Sequence, residues 1–163
     1  MKRSITLLFA LFLITGCAKE KAETPDILTG WLTPDQLYTA FPEYQLEGQG
    51  YTAEDAVISE MDALGGEFEV LVIIGTYCSD CKRELPRFLS AIEQLGNTSV
   101  QYKIYGLDRA KNDTSGMREK YNIEFIPTFI VYADGQEIGR IIETPIVSME
   151  QDLLDIMTAA NVE

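Results

Sequence analysis

The stretch from Phe68 to Cys81 constrains the fold more than any other part of the chain. Phe68 to Ile74 (FEVLVII) is a nearly unbroken apolar run rich in β-branched residues. Its length and composition suit a central strand buried on both faces, and such a strand requires covering helices. Gly75, Thr76 and Tyr77 separate it from Cys78-Ser79-Asp80-Cys81. A helical pattern follows from about Cys78 to Leu95. Leu85, Phe88, Leu89, Ile92 and Leu95 form one stripe, and Gly96 is the stop. From Ser99 to Leu107, Val100, Tyr102 and Ile104 alternate with Gln101, Lys103 and Tyr105, which predicts a second strand. Strand, helix and strand make a βαβ unit, parallel and right-handed.

The remaining pattern extends this unit in both directions. Downstream come a short helix around Met117 to Tyr121 and two apolar runs, Thr128 to Ala133 and Gln136 to Ile142. Asp134-Gly135 joins them as a two-residue hairpin. Ser148 and Gln151 resemble a capping box that opens a last helix, with Met149, Leu153, Ile156 and Ala160 on one face. Upstream, Thr33-Pro34-Asp35-Gln36 opens a short helix to about Phe41. A second helix is expected from Thr52, with Ala53, Ala56, Val57, Glu60, Met61 and Leu64 on its face and Gly65-Gly66 as its stop. Trp31 and Tyr44 are isolated aromatics best explained as core or lid packing. The expected class is α/β: a mixed central sheet with helices on both faces, spanning 33–163 and including a helical extension over 33–66.

The N-terminus reads differently. Lys2 and Arg3 precede an apolar stretch, Ile5 to Ile14, and Ile14-Thr15-Gly16-Cys17 follows. This arrangement resembles a bacterial lipoprotein signal over 1–16, with Cys17 as the lipidated residue. The apolar stretch is well short of the ~20 residues that a membrane-spanning helix needs. Residues 17–32 are then the lipidated cysteine and a flexible tether, polar, charged and interrupted by Pro25. The implied location is outside the cytoplasm, on a membrane through the lipid anchor. Acidic residues number 26 against 13 basic, a formal charge of −13. Nucleic acid is excluded as a partner on that ground, because phosphate binding needs a cationic surface.

The chain has three cysteines, so assigning lipid to Cys17 leaves one pair, Cys78 and Cys81. Free N–H groups and the positive end of a helix favour an anion, so a thiol placed there ionises more readily. The thiolate is the attacking species in disulfide exchange. Cys78, nearer the helix tip, is the candidate nucleophile, and Cys81, one turn deeper, would resolve the mixed disulfide. Lys82 and Arg83 favour that thiolate while Asp80 opposes it, so the sign of the net shift is not readable from sequence. A structural disulfide is the other use of such a pair, though so small a loop would constrain the chain little. Zinc and copper sites are disfavoured because the chain has no histidine and no further free cysteine. No metal or cofactor is expected beyond the redox-active pair itself.

Two separated stretches, Thr76 to Pro86 (TYCSDCKRELP) and Lys120 to Gly135 (KYNIEFIPTFIVYADG), resemble the thioredoxin superfamily. The resemblance implies a thioredoxin-like fold, Pro86 at the kink of the active-site helix, and a cis bond before Pro127 beside the cysteines. It also implies a substrate groove at Tyr77, Phe125, Ile126 and Pro127. Within the superfamily, Lys82-Arg83-Glu84-Leu85-Pro86 is most similar to the membrane-tethered TlpA/ResA-like thiol:disulfide oxidoreductases. That likeness assigns proton handling to Glu84. The chain departs from the pattern at Val72, where thioredoxins carry a buried aspartate, and at Tyr77, Phe125 and Glu143. It also lacks room for the insert those reductases carry before the cis-proline. The implied activity is reduction of protein disulfides, with protein clients and an electron-donating redox partner. A disulfide oxidant or isomerase, and a redox-inert binding lipoprotein, are the alternatives.

Overall fold

The computed structural model of the chain describes residues 27–96, 99–110 and 116–160. The stretch expected as a signal segment, 1–16, with Cys17 and the expected tether as far as Asp26, lies outside the described residues. Elements run in the order β1 (Gly30–Leu32), α1 (Pro34–Ala40), α2 (Pro42–Gln49), α3 (Asp55–Ala63), β2 (Phe68–Ile74), α4 (Ser79–Glu93) and β3 (Val100–Gly106). Then follow α5 (Met117–Lys120), β4 (Thr128–Ala133), β5 (Gln136–Ile142) and α6 (Met149–Ala160).

The five strands form one sheet in the order β1-β3-β2-β4-β5. β2 and β3 are parallel with Val72 opposite Ile104, as the βαβ pattern predicts, while β1 on β3, β4 on β2 and β5 on β4 are antiparallel. β2 is central because it has almost no polar side chain to keep wet. Val70, Val72, Ile73 and Ile74 are all fully buried. Successive side chains on a strand point to opposite faces. Phe88 of α4 packs on Tyr102 and Phe129, at ring separations of 5.7 and 5.3 Å, so α4 covers the face that Val70 and Val72 share. Ile156 of α6 presses on Gly139 of the same face, where an added Cβ would meet it at 2.8 Å. Arg140, on the opposite face, donates to the Tyr121 carbonyl at 3.2 Å, which brings the end of α5 to the second side.

Thr33 caps α1 with both halves of the predicted capping box in place. Asp134 and Gly135 both adopt positive φ, 51° and 76°, the conformation that a two-residue hairpin turn of their kind requires.

Four expectations need correction. Residues 30–32, read as the end of the tether, form β1 on the sheet edge; a strand this short carries no readable period. α2 was not foreseen, because PEYQLEGQ has no apolar stripe and buries only Tyr44, while Leu46 is exposed. α3 begins at Asp55 and not near Thr52, since Glu54 is still extended. At α6, Ser148 Oγ accepts the Gln151 N–H at 3.2 Å, but the Gln151 side chain turns to Asp155, so only half of the capping box forms.

Candidate active site

β2 delivers its last residue, Ile74, to the C-terminal end of the sheet, and the chain turns there into α4. Gly75 makes the turn possible. A Cβ on it would lie 2.7 Å from the Tyr77 ring and 2.9 Å from Ile126 Cδ1. Cys78 is the N-cap residue of α4 and is half-buried, whereas Cys81, one turn in, is fully buried. Both cysteines are free thiols. Cys78 Sγ lies 3.5 Å from the Ile126 carbonyl oxygen, and Cys81 Sγ accepts the Gly75 N–H at 3.4 Å.

The Ile126-Pro127 peptide bond is cis, and both residues are buried. Thr128 Oγ1 donates to the Phe125 carbonyl at 2.7 Å, and the Pro127 carbonyl accepts the Glu143 N–H, also at 2.7 Å. Together these bonds brace the loop on itself and against the end of β5. Phe125 stands at its rim, 47% exposed. Tyr77 is partly buried: its hydroxyl donates to the Asp108 carbonyl at 2.6 Å and the Arg109 guanidinium lies over its ring.

The two thiols are electrostatically opposite. A hydrogen bond from Cys81 holds the Cys78 thiol down to about 6; burial opposes this, and the N–H groups of Cys81 and Asp80 at the helix start add to it, without forming a full side-chain cap. The net sign, unreadable in the sequence, is therefore set by Cys81. Lys82 is drawn away to Glu43 at 3.0 Å, and Arg83 is held between Asp80 at 2.9 Å and Glu84 at 2.6 Å. Burial pushes the Cys81 thiol far above its usual range, and its hydrogen bond to Cys78 raises it further. One sulfur is poised to be an anion at neutral pH, and the other keeps its proton.

A scan against protein-family models matches the chain to the Thioredoxin model over residues 52–158, well over half its length. The chain belongs to the thioredoxin family. Its curated relatives include a thioredoxin-like protein of Acanthamoeba polyphaga mimivirus, 28% identical over 57% of this chain and 67% of that one. A thioredoxin of Coprinus comatus is 29% identical over 53% of this chain and 82% of that one. Among solved structures, a Pseudomonas aeruginosa protein of unknown function superposes with a TM-score of 0.56 at 16% identity, covering 74% of this chain and 83% of that one. An HIV epitope scaffold gives the same TM-score at 17% identity, over 75% and 84%. These two show the fold alone.

In this thioredoxin-family domain, Cys78, Cys81, Tyr77, Ile126 and Pro127 converge on one end of the sheet, with Phe125 at the edge. Glu84 is buried at 2% exposure, but its partners are Arg83 and, at 3.8 Å, Arg87. Its second oxygen, Oε2, has no hydrogen-bond partner among the described residues. Val72, where thioredoxins carry an aspartate, is fully buried and offers no polar group. Among the described residues no cluster of three or more metal-ligating side chains occurs, and no helix is long and apolar enough to cross a membrane. Trp31, expected in a core or lid, is 57% exposed and meets Tyr105 edge-on. One residue at the site escaped sequence reasoning: Gly75 is signalled only by its place at a strand end. Tyr44, expected in core or lid packing, is fully buried.

Proposed function

We propose that this chain is an extracytoplasmic, lipid-anchored thiol:disulfide oxidoreductase that reduces protein disulfides through Cys78 and Cys81. One observation carries the reading: a half-exposed thiol held near pH 6 by its buried neighbour, facing the Ile126 carbonyl beside the cis-proline. Cys78 thiolate attacks a client disulfide, forming a Cys78–client bond and releasing one client sulfur. Cys81 sulfur then attacks Cys78 Sγ, the Cys78–Cys81 bond forms, and the second client sulfur leaves with the electron pair. Two electrons pass to the client, and an electron-donating redox partner restores the dithiol. Glu84, buried three residues beyond Cys81, is assigned to pass the Cys81 proton on to the departing thiolate. The reducing direction follows the likeness of Ile126-Pro127-Thr128 and of Lys82 to Pro86 to reductases. Cys17 carries the anchor in this reading.

Alkylation of the full chain across a series of redox buffers tests the pair. The expected result is a reversible transition of both thiols, with Cys78 reactivity rising through pH about 6. Cys81→Ser should trap a client as a mixed disulfide on Cys78. Two inert thiols, or no trapped disulfide, would overturn the proposal in favour of a binding module. The mass of membrane-extracted protein checks Cys17, and an intact Met1 N-terminus would remove the anchor.

A further inference from the structure

The helical extension ahead of the family-matched stretch reaches the site through Tyr44. α2 lies alongside α4, held at two points a turn apart: Glu43 pairs with Lys82 at 3.0 Å and Glu47 with Arg87 at 3.3 Å. Gly48 meets Pro86, where an added Cβ would lie 3.4 Å from the proline ring and its carbonyl. Tyr44 lies one turn before Gly48 on the same face of α2. The same pairing brings it level with the turn of α4 that holds Cys81 and Lys82. The side chain is fully buried, and its hydroxyl has no hydrogen-bond partner among the described residues. Burial keeps that phenol far above its usual range, and the Cys81 and Cys78 sulfurs are its next largest electrostatic neighbours, ahead of Glu43.

A buried hydroxyl left unpaired costs ~1–3 kcal/mol, a cost phenylalanine would avoid at nearly the same shape. A buried polar group left unpaired calls for a reason, and a redox or catalytic role is one such reason. In the resting dithiol the Cys81 proton lies toward Cys78, and the tyrosine has nothing to donate to. Charge appears on Cys81 only when it gives up that proton to attack the mixed disulfide. Val72 is apolar and adds no donor or acceptor, and the Cys81 sulfur takes a single backbone N–H, that of Gly75 at 3.4 Å.

We propose that Tyr44 serves the second step of exchange, its hydroxyl donating to the Cys81 sulfur as that sulfur becomes anionic. The inference rests on the redox reading of the pair. It makes the extension part of the reaction machinery, because Tyr44 lies outside the family-matched residues 52–158. During the step Cys81 loses its proton to the departing client thiolate, the Cys78–client bond breaks and the Cys78–Cys81 bond forms. Tyr44 keeps its own proton throughout.

The test is Tyr44→Phe in the full chain, reacted with dithiobis-nitrobenzoate in a stopped-flow instrument. Attack by Cys78 releases one coloured thiolate, and resolution by Cys81 releases the second. The first phase should be unchanged and the second slowed roughly tenfold, the loss of about one hydrogen bond to a charged group. The melting temperature should rise, because the orphan hydroxyl is gone. Two equally fast phases in Tyr44→Phe, or slowing of the first phase, would overturn the role at Cys81. A fall in melting temperature would show that the hydroxyl is paired in the resting protein and would equally overturn it. If the unsubstituted chain releases only one equivalent, the redox reading itself fails, an outcome distinct from the others.

Discussion

At Gly75 a single hydrogen in place of a side chain decides whether the cysteine turn can close. A Cβ there would sit 2.7 Å from Tyr77 Cε1 and Cζ, and the ring cannot swing away without losing its hydroxyl's bond to the Asp108 carbonyl. Ile126 Cδ1, 2.9 Å from the same point, belongs to the loop that faces Cys78. Overpacking of this kind costs about 1–3 kcal/mol. Gly75→Ala is expected to lose that much in denaturant titration and to slow Cys78 alkylation; a chain with unchanged midpoint and reactivity would show that the Tyr77 ring yields. Spacing made the place of Cys78 and Cys81 at the start of α4 legible in advance, and the cis bond before Pro127 followed from the resemblance to thioredoxins. The charge state of Cys78 was not legible. It turns on a hydrogen bond from Cys81 and on the capture of Lys82 and Arg83 by carboxylates, and Glu43, the partner of Lys82, lies far away in sequence.

α2 shows what binds one element to another when its sequence has no apolar stripe. Its ion pairs to α4 are half-exposed, with side-chain exposures of 37% and 49% for Lys82 and Glu43 and 34% and 42% for Arg87 and Glu47. Pairs in such positions contribute ~0–1 kcal/mol, because water and salt screen them. Removing a buried aromatic side chain costs ~3–5 kcal/mol. The helix is therefore held by Tyr44, with the carboxylates setting its register. Glu43→Gln and Glu47→Gln are each expected to change unfolding free energy by under about 1 kcal/mol, while Tyr44→Ala should lose several times more. Comparable losses from all three would show that the ion pairs hold the helix. Elements with a strong period, β2, α4 and the Asp134-Gly135 hairpin, were legible as patterns. α2 and β1 were not, since each depends on a distant surface: α2 on Pro86 and on Lys82 and Arg87 of α4, β1 on its pairing with Tyr105 of β3.

Across the whole molecule the extension is closed against the far end of the chain. Glu150, buried at the start of α6, accepts hydrogen bonds from the Tyr51 hydroxyl and from the Glu54 N–H at 3.2 Å. The segment from α2 to α3 is thereby pinned to the last helix while Tyr44 is seated on α4. Burial opposes charge on Glu150, but the bonds from Tyr51 and from backbone N–H groups outweigh it and hold its carboxyl below the usual 4.5. A carboxyl lowered in the folded state contributes stability that is fully present above its unfolded value and lost as pH falls through the folded one. The clasp therefore holds at neutral pH and weakens below about 4.5. Glu150→Gln removes this ionisation while keeping the shape. The variant should be less stable at pH 7, and the gap from the unsubstituted chain should narrow steadily in denaturant titrations carried below pH 4.5. A gap that stays constant with pH would mean that the charge on Glu150 does not hold the clasp. Because Tyr44 lies on the segment so pinned, the same substitution should also slow the second phase of disulfide exchange at neutral pH while leaving attack by Cys78 intact.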